Sequence, residues 1–239
     1  MKKVQITETV LRDANQSLMA TRLPYADFEE ILPEMDKAGY YSVECWGGAT
    51  FDTAYRFLHE SPWERLEMLR EKIPNIPFQM LLRGSNLVGY ASYPDNLVRA
   101  FIAESAREGI DVFRVFDSLN WLPNMETAMD EVLRQGKFLE GTVCYTGDIL
   151  DPTRDRYTLE YYVNFAKELE RRGAHMLAIK DMSGLLKPYA AKKLVSTLKQ
   201  EIGIPIHLHT HNTTGTGDMV LLKAIEAGVD VVDTCLSPL

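Results

Sequence analysis

Short apolar runs alternate with longer amphipathic stretches along the whole chain. A brief apolar run closed by polar or glycine-rich residues reads as a buried strand. Apolar positions recurring every three or four residues read as a helix with one buried face. On that basis strands are predicted at 4–9, 42–46, 77–82, 112–116, 139–145, 175–179, 206–210 and 231–234. Amphipathic helices are predicted at 25–38, 95–108, 161–172, 187–202 and 218–227, followed by Gly39, Gly109, Gly173, Gly203 and Gly228 as C-caps. Eight apolar runs with helical segments between them predict a parallel sheet closed on itself, a (β/α)8 TIM barrel occupying 1–239 as one domain. The eighth strand runs out at Ser237-Pro238-Leu239 with no helix after it. The barrel is therefore expected to be truncated before its last helix, and the chain to be a piece of a longer polypeptide.

Composition narrows this picture. A chain of 239 residues with 46% hydrophobic content suffices for one well-buried domain. The net charge is −8 and no basic stripe is present, which argues against a nucleic-acid partner. Cys45, Cys144 and Cys235 are odd in number, far apart and set in apolar runs, so reduced thiols and a cytoplasmic location are expected. The first residues carry no apolar signal core, and no stretch reaches the ~18 apolar residues of a membrane helix.

Candidate chemistry collects where predicted strands end. His207, His209 and His211 occupy alternate positions, and alternate side chains of a strand share a face. Two such imidazoles can grip one metal ion. His209 and His211, nearest the strand end, are the expected ligands, with His207 deeper in the core. Asp13 is a natural anionic partner for such a pair, or alternatively a helix N-cap. Lys180 closes the apolar run 176–180. A lysine there is costly unless it is paired, for instance with Asp181, or converted by CO2 to an anionic carbamate. Arg83 can clamp a carboxylate in bidentate fashion or form an ion pair in the barrel mouth. The Gly47-Gly48 pair allows a sharp turn or a close backbone approach, and no phosphate-binding loop is present. Polar residues also end the other strands, at Arg12 to Gln16, Asp117 to Asn120 and Tyr145 to Asp148. That is what a polar pocket above an apolar barrel requires.

These motifs resemble a known family. Residues 8–22 (ETVLRDANQSLMATR), 42–52 (SVECWGGATFD), 80–84 (MLLRG), 111–118 (DVFRVFDS), 144–148 (CYTGD), 178–182 (AIKDM) and 209–212 (HTHN) are similar to the carboxyltransferase domain of biotin-dependent enzymes. That group includes pyruvate carboxylase, the oxaloacetate decarboxylase alpha subunit and the pyruvate-binding subunit of transcarboxylase. The resemblance covers essentially the whole chain. It implies metal ligation by Asp13, carbamylated Lys180, His209 and His211, with Zn2+ or Mn2+ as the divalent ion. It implies pyruvate binding by Gln16 and Arg83, and contacts to biotin from Asp52 and Tyr90. Asn15 stands where the family usually has His and Asn212 where Asp is common, neither being a ligand in the family pattern.

The implied reaction is carboxyl transfer between biotin and pyruvate or oxaloacetate through a pyruvate enolate. Biotin would be carried on a separate domain or chain. Biotin carboxylase or membrane decarboxylase subunits are the implied partners, and a homo-oligomer the implied assembly. The family's proton-shuttling threonine and its biotin attachment motif fall outside this sequence, so little carboxyl transfer is expected of the 239 residues alone. Two other readings remain. One is a related metal-dependent barrel of Claisen or aldol type, such as isopropylmalate synthase or an acyl-CoA lyase. The other is an inactive scaffold fragment.

Overall fold

The structure, a computed structural model, describes residues 3–236. The terminus 237–239, on which the expected truncation turns, lies outside the described residues. Eight strands are hydrogen-bonded in chain order as a closed barrel: β1 (Gln5–Glu8), β2 (Ser42–Trp46), β3 (Phe78–Leu82), β4 (Val112–Val115), β5 (Phe138–Cys144), β6 (Met176–Asp181), β7 (Ile206–Thr210) and β8 (Val231–Thr234). Each coincides with a predicted strand to within two residues. Strands β2, β3, β4 and β6 are buried along their whole length. A parallel sheet with helices on one face and a filled interior on the other demands this, and it explains why these strands read as apolar runs without alternation.

The chain forms two compact units. One is built on 6–115 with 122–138. Its helices are α1 (Asn15–Met19), α2 (Leu32–Met35), α3 (Gly48–Thr53), α4 (Pro62–Lys72), α5 (Asp95–Arg107) and α6 (Pro123–Arg134). The continuous helix expected at 25–38 is not formed. Two single 3-10 turns, Tyr25–Asp27 and Glu29–Ile31, precede the short α2. Pro33 is the reason: it has no N–H for the carbonyl four residues back and its ring crowds that carbonyl, so a helix starts afresh with Pro33 in its first turn. Conversely, α4 and α6 lie where the apolar pattern assigned no helix. Both open on a proline, and Ser61 caps α4 by accepting a hydrogen bond from the Glu64 N–H at 3.3 Å. The proline start signal was legible in both, and α6 also buries Met125, Ala128, Met129 and Val132 at helical spacing, a period that the strand-dominated pattern obscured.

Strand β2 carries an irregularity that matters later. Its register with β3 shifts between Glu44 and Trp46. Strict alternation would send Trp46 to the same side as Ser42 and Glu44. Instead its indole joins a cluster with Phe51, Trp63 and Phe101, stacked on Phe101 at 6.0 Å and edge-on to Trp63 at 5.0 Å. A β-bulge re-aims a side chain in this way. The indole is fully buried and anchors α3, α4 and α5 on the strand, leaving Gly47 and Gly48 at the strand's exit.

The second unit is built on 139–233 with 116–121. Its helices are α7 (Leu159–Arg171), α8 (Pro188–Glu201) and α9 (Gly217–Glu226), all close to their predicted ranges. Register sets its interior. Cys144 pairs with Lys180, and Lys180 with His209; one row lower, Ala178 pairs with His207 and His207 with Val231. Residues opposite one another in a ladder share a face. Cys144, Lys180 and His209 therefore form one inward row, with His207 in the row beneath.

Among the described residues no helix is long and apolar enough to cross a membrane. Cys45 and Cys144 are buried, and burial pushes both thiols up to about 12. Cys235 is exposed. Since the thiolate is the reactive species, titration of the native protein with a disulfide reagent near pH 8 is expected to modify one thiol per chain, Cys235. Three should react after unfolding in guanidinium. Rapid native modification of Cys45 or Cys144 would contradict their burial.

Candidate active site

In the second unit, a chain of buried hydrogen bonds runs through β5, β8 and β7. Glu140 Oε1 meets His207 Nδ1 at 2.5 Å, and His207 Nε2 meets Asp233 Oδ1 at 2.7 Å. The other Asp233 oxygen, Oδ2, meets His209 Nδ1 at 2.6 Å. A carboxylate on Nδ1 favours the tautomer protonated there, with Nε2 as the acceptor nitrogen, the arrangement typical of histidines that ligate metals. His209 Nε2 lies 3.2 Å from His211 Nε2. Two nitrogens bonded to one zinc-like ion at ~2.1 Å and subtending ~100° are about 3.2 Å apart. The pair thus has the spacing that a shared ion needs. His207 is the deeper histidine expected from the sequence, fully buried and engaged on both ring nitrogens.

Lys180 is buried in the row of His209, with Nζ 5.6 Å from the centre of the Phe116 ring. Asp181, one residue on, points to the opposite face. Its oxygens accept from the N–H groups of Leu185 at 2.9 Å and Leu186 at 3.0 Å and from Thr210 Oγ1 at 2.9 Å. The carboxylate that seemed the obvious partner for Lys180 thus serves the β6–α8 loop.

In the first unit, Arg12 and Asp13 occupy a helical turn directly after β1. Arg12 is buried, and Glu44 gathers the cations around it. Arg12 Nε donates to Glu44 Oε1 at 2.6 Å, while Arg114 Nη1 and Gln79 Nε2 each donate to Oε2 at 3.0 Å. Burial works against the charge of Arg12, but Glu44 and Asp13 more than offset it, and its pKa stands above the ordinary arginine value. Arg12 Nη1 then pairs with Asp13 Oδ1 at 2.8 Å. Asp13 is consequently held from behind by a guanidinium that is itself fixed, and it lies inside a turn whose N-cap position is Thr9, while Ala14 is the N-cap of α1.

The remaining sequence candidates lie in less enclosed positions. Arg83 is half-buried; its Nη1 donates to the Gly89 carbonyl at 3.2 Å and its Cζ sits 5.4 Å from the centre of the exposed Tyr90 ring. Gln16 is exposed on α1. Asp52 is half-buried and meets Arg56 at 3.5 Å. Asp233, Glu140 and Arg114 were not singled out in the sequence, and Glu44 was read only as one of the polar residues at the end of its strand. Their signal was present: each is a charge inside an otherwise apolar strand, and such a residue persists only with a fold-supplied partner.

A closed parallel barrel with polar side chains at its strand ends is a catalytic architecture, and residues 151–239 match the HMGL-like family. Over nearly its whole length the chain is similar to pyruvate carboxylases. It is 58% identical to the Staphylococcus aureus pyruvate carboxylase over 98% of this chain and 21% of that protein. It is 50% identical to a pyruvate carboxylase subunit from Methanothermobacter thermautotrophicus, over 100% of this chain and 41% of the other. The carboxyl transferase domain of Rhizobium etli pyruvate carboxylase, solved with pyruvate and biocytin, superposes with a TM-score of 0.96 at 51% identity, over 99% of this chain and 40% of that one. The chain is homologous to the carboxyltransferase domain of pyruvate carboxylase. It spans between about a fifth and two fifths of these relatives' length.

Glu44→Gln is expected to destabilise the fold by about 3–5 kcal/mol, because it leaves two buried guanidinium groups facing a neutral amide. The midpoint of urea unfolding measures this. A change under ~1 kcal/mol would mean that Glu44 is not the hub of the network.

Proposed function

We propose that this chain transfers a carboxyl group between biotin and pyruvate, forming or decarboxylating oxaloacetate. The observation that carries the reading is the register of Lys180 with His209, beside two imidazoles spaced for one ion, in a chain 58% identical to a pyruvate carboxylase. Asp13, His209, His211 and Lys180 are the residues that would hold a divalent cation. An imidazole pair with oxygen donors suits Zn2+ or Mn2+. Such an ion supplies Lewis acidity toward the 2-oxo group. A bare lysine ammonium beside it would repel it, so Lys180 serves as its carbamate, an oxygen donor. Asp233 keeps His209 in the ligating tautomer, and Arg12 holds the Asp13 carboxylate in one orientation.

Arg83 binds the substrate carboxylate with its planar fork and so orients the methyl or carboxyl-bearing carbon. Gln16, exposed near Asp13, adds a hydrogen bond to the same substrate. Tyr90 and Asp52 receive the biotin ring, which a separate carrier domain or chain delivers. The reading as a Claisen- or aldol-type barrel is less well supported, since the similarity to pyruvate carboxylases extends over 98% of the chain.

Elemental analysis is expected to find one divalent ion per native chain and to find it lost in Asp13→Ala and His211→Ala, with the barrel's circular dichroism unchanged. Full retention in both variants would refute the ligand set. Incubation with 13C-bicarbonate should give one carbamate resonance that Lys180→Arg abolishes. Arg83→Lys should keep the metal yet lower kcat/KM for biotin-dependent oxaloacetate decarboxylation about 10- to 100-fold, the equivalent of one charge-assisted bidentate contact. Unchanged kinetics would make Arg83 structural.

A further inference from the structure

The Gly47-Gly48 pair is not there for its backbone freedom. Gly47 is extended, at φ 176° and ψ −171°, and Gly48 is absent from the positive-φ residues. Other residues adopt such conformations readily. What the pair lacks is β-carbons, and each glycine faces an arginine. A β-carbon on Gly47 would meet Arg12 Cδ at 3.3 Å and the Leu81 carbonyl oxygen at 3.4 Å, a tight but tolerable fit. On Gly48 the outcome is different. The three nearest atoms all belong to one guanidinium, that of Arg83, with Nη1 the closest, Cζ at 2.8 Å and Nη2 at 3.1 Å. The Arg83 fork therefore lies across the bare Cα of Gly48.

The other contacts of the fork complete a slot. Arg83 Nη1 donates to the Gly89 carbonyl, and the Tyr90 ring stands 5.4 Å from Cζ. The loop that brings them is wound tightly, with left-handed φ at Gly84 (47°) and Leu87 (50°). A free arginine has many rotamers to lose on binding. A slot that confines it beforehand lowers that cost and fixes the direction of the fork.

We infer that Gly48 is the positioning residue for Arg83. By having no side chain it sets where the guanidinium rests, and so how well the site holds the carboxylate of a 2-oxo acid. This rests on the carboxylate-binding role proposed for Arg83. A methyl at position 48 displaces the fork without disturbing the fold, because the atoms it meets are the far end of a flexible side chain. Position 48 also opens α3, where alanine is at least as favourable as glycine. The effect falls on substrate binding and spares stability.

The test compares the full chain with Gly48→Ala, Arg83→Lys and the double variant. Calorimetry with pyruvate and with oxamate gives Kd, thermal unfolding gives Tm, and elemental analysis gives metal content. Gly48→Ala is expected to keep its metal, hold or raise Tm, and weaken both ligands by about 10-fold or more, since displacements near 1 Å cost up to ~100-fold. In the Arg83→Lys background the same change should add little, because the two residues act as one unit. Unchanged Kd in Gly48→Ala would overturn the inference. So would an equal loss in the Arg83→Lys background, or failure of Gly48→Ala to fold. If Arg83→Lys itself leaves Kd unchanged, the role of Arg83 is what fails, and the inference falls with it.

Discussion

Glu44 has no exposed surface, and a carboxylate in that position is stable only if the fold delivers counter-charges to it. Arg12 and Arg114 supply them from different parts of the chain, and Gln79 adds a neutral donor. The network continues from Gln79 to Ser42 at 3.1 Å and from Ser42 to Thr7 at 2.8 Å, so strands β1 to β4 are tied through polar side chains as well as backbone ladders. Much of the first unit's geometry follows from satisfying this one charge. Arg12 is placed by it, and Asp13 by Arg12.

The second unit solves the same problem with histidine in place of arginine. Glu140 and Asp233 are buried carboxylates, and His207 stands between them with both ring nitrogens engaged. Asp233 reaches on to His209, so an oxygen that needs a donor also selects which nitrogen of His209 faces the site. Polar groups in a low-dielectric interior are costly when unpaired and rigid when fully paired. Here that rigidity has a use. The side chains with candidate chemistry, Asp13 and His209, are each backed by a partner that leaves them little freedom to turn away.

Glycine and proline mark where local chemistry and tertiary packing diverge. Pro33 breaks a helix that the apolar periodicity favours, because a missing N–H and a ring clash outweigh the burial pattern. Gly47 and Gly48 look like a turn signal and are instead two points of close approach to arginine side chains. The first effect is local and was readable in principle. The second depends on where Arg12 and Arg83 arrive after folding.

By itself, the sequence determined the eight strands, the barrel class, and the position of Asp13, Lys180, His209 and His211, each at or just past the end of a strand. Those features rest on short-range facts: apolar run length, alternation, and which residues close each run. Tertiary structure alone decided which charges meet. The register that sets Lys180 beside His209, the turning of Asp181 to its own loop, and the convergence of Arg12 and Arg114 on Glu44 all depend on strand pairing between segments tens of residues apart. A one-residue slip in any of those pairings would send every side chain of the strand to the opposite face. No local pattern encodes that choice; the closing of the sheet makes it.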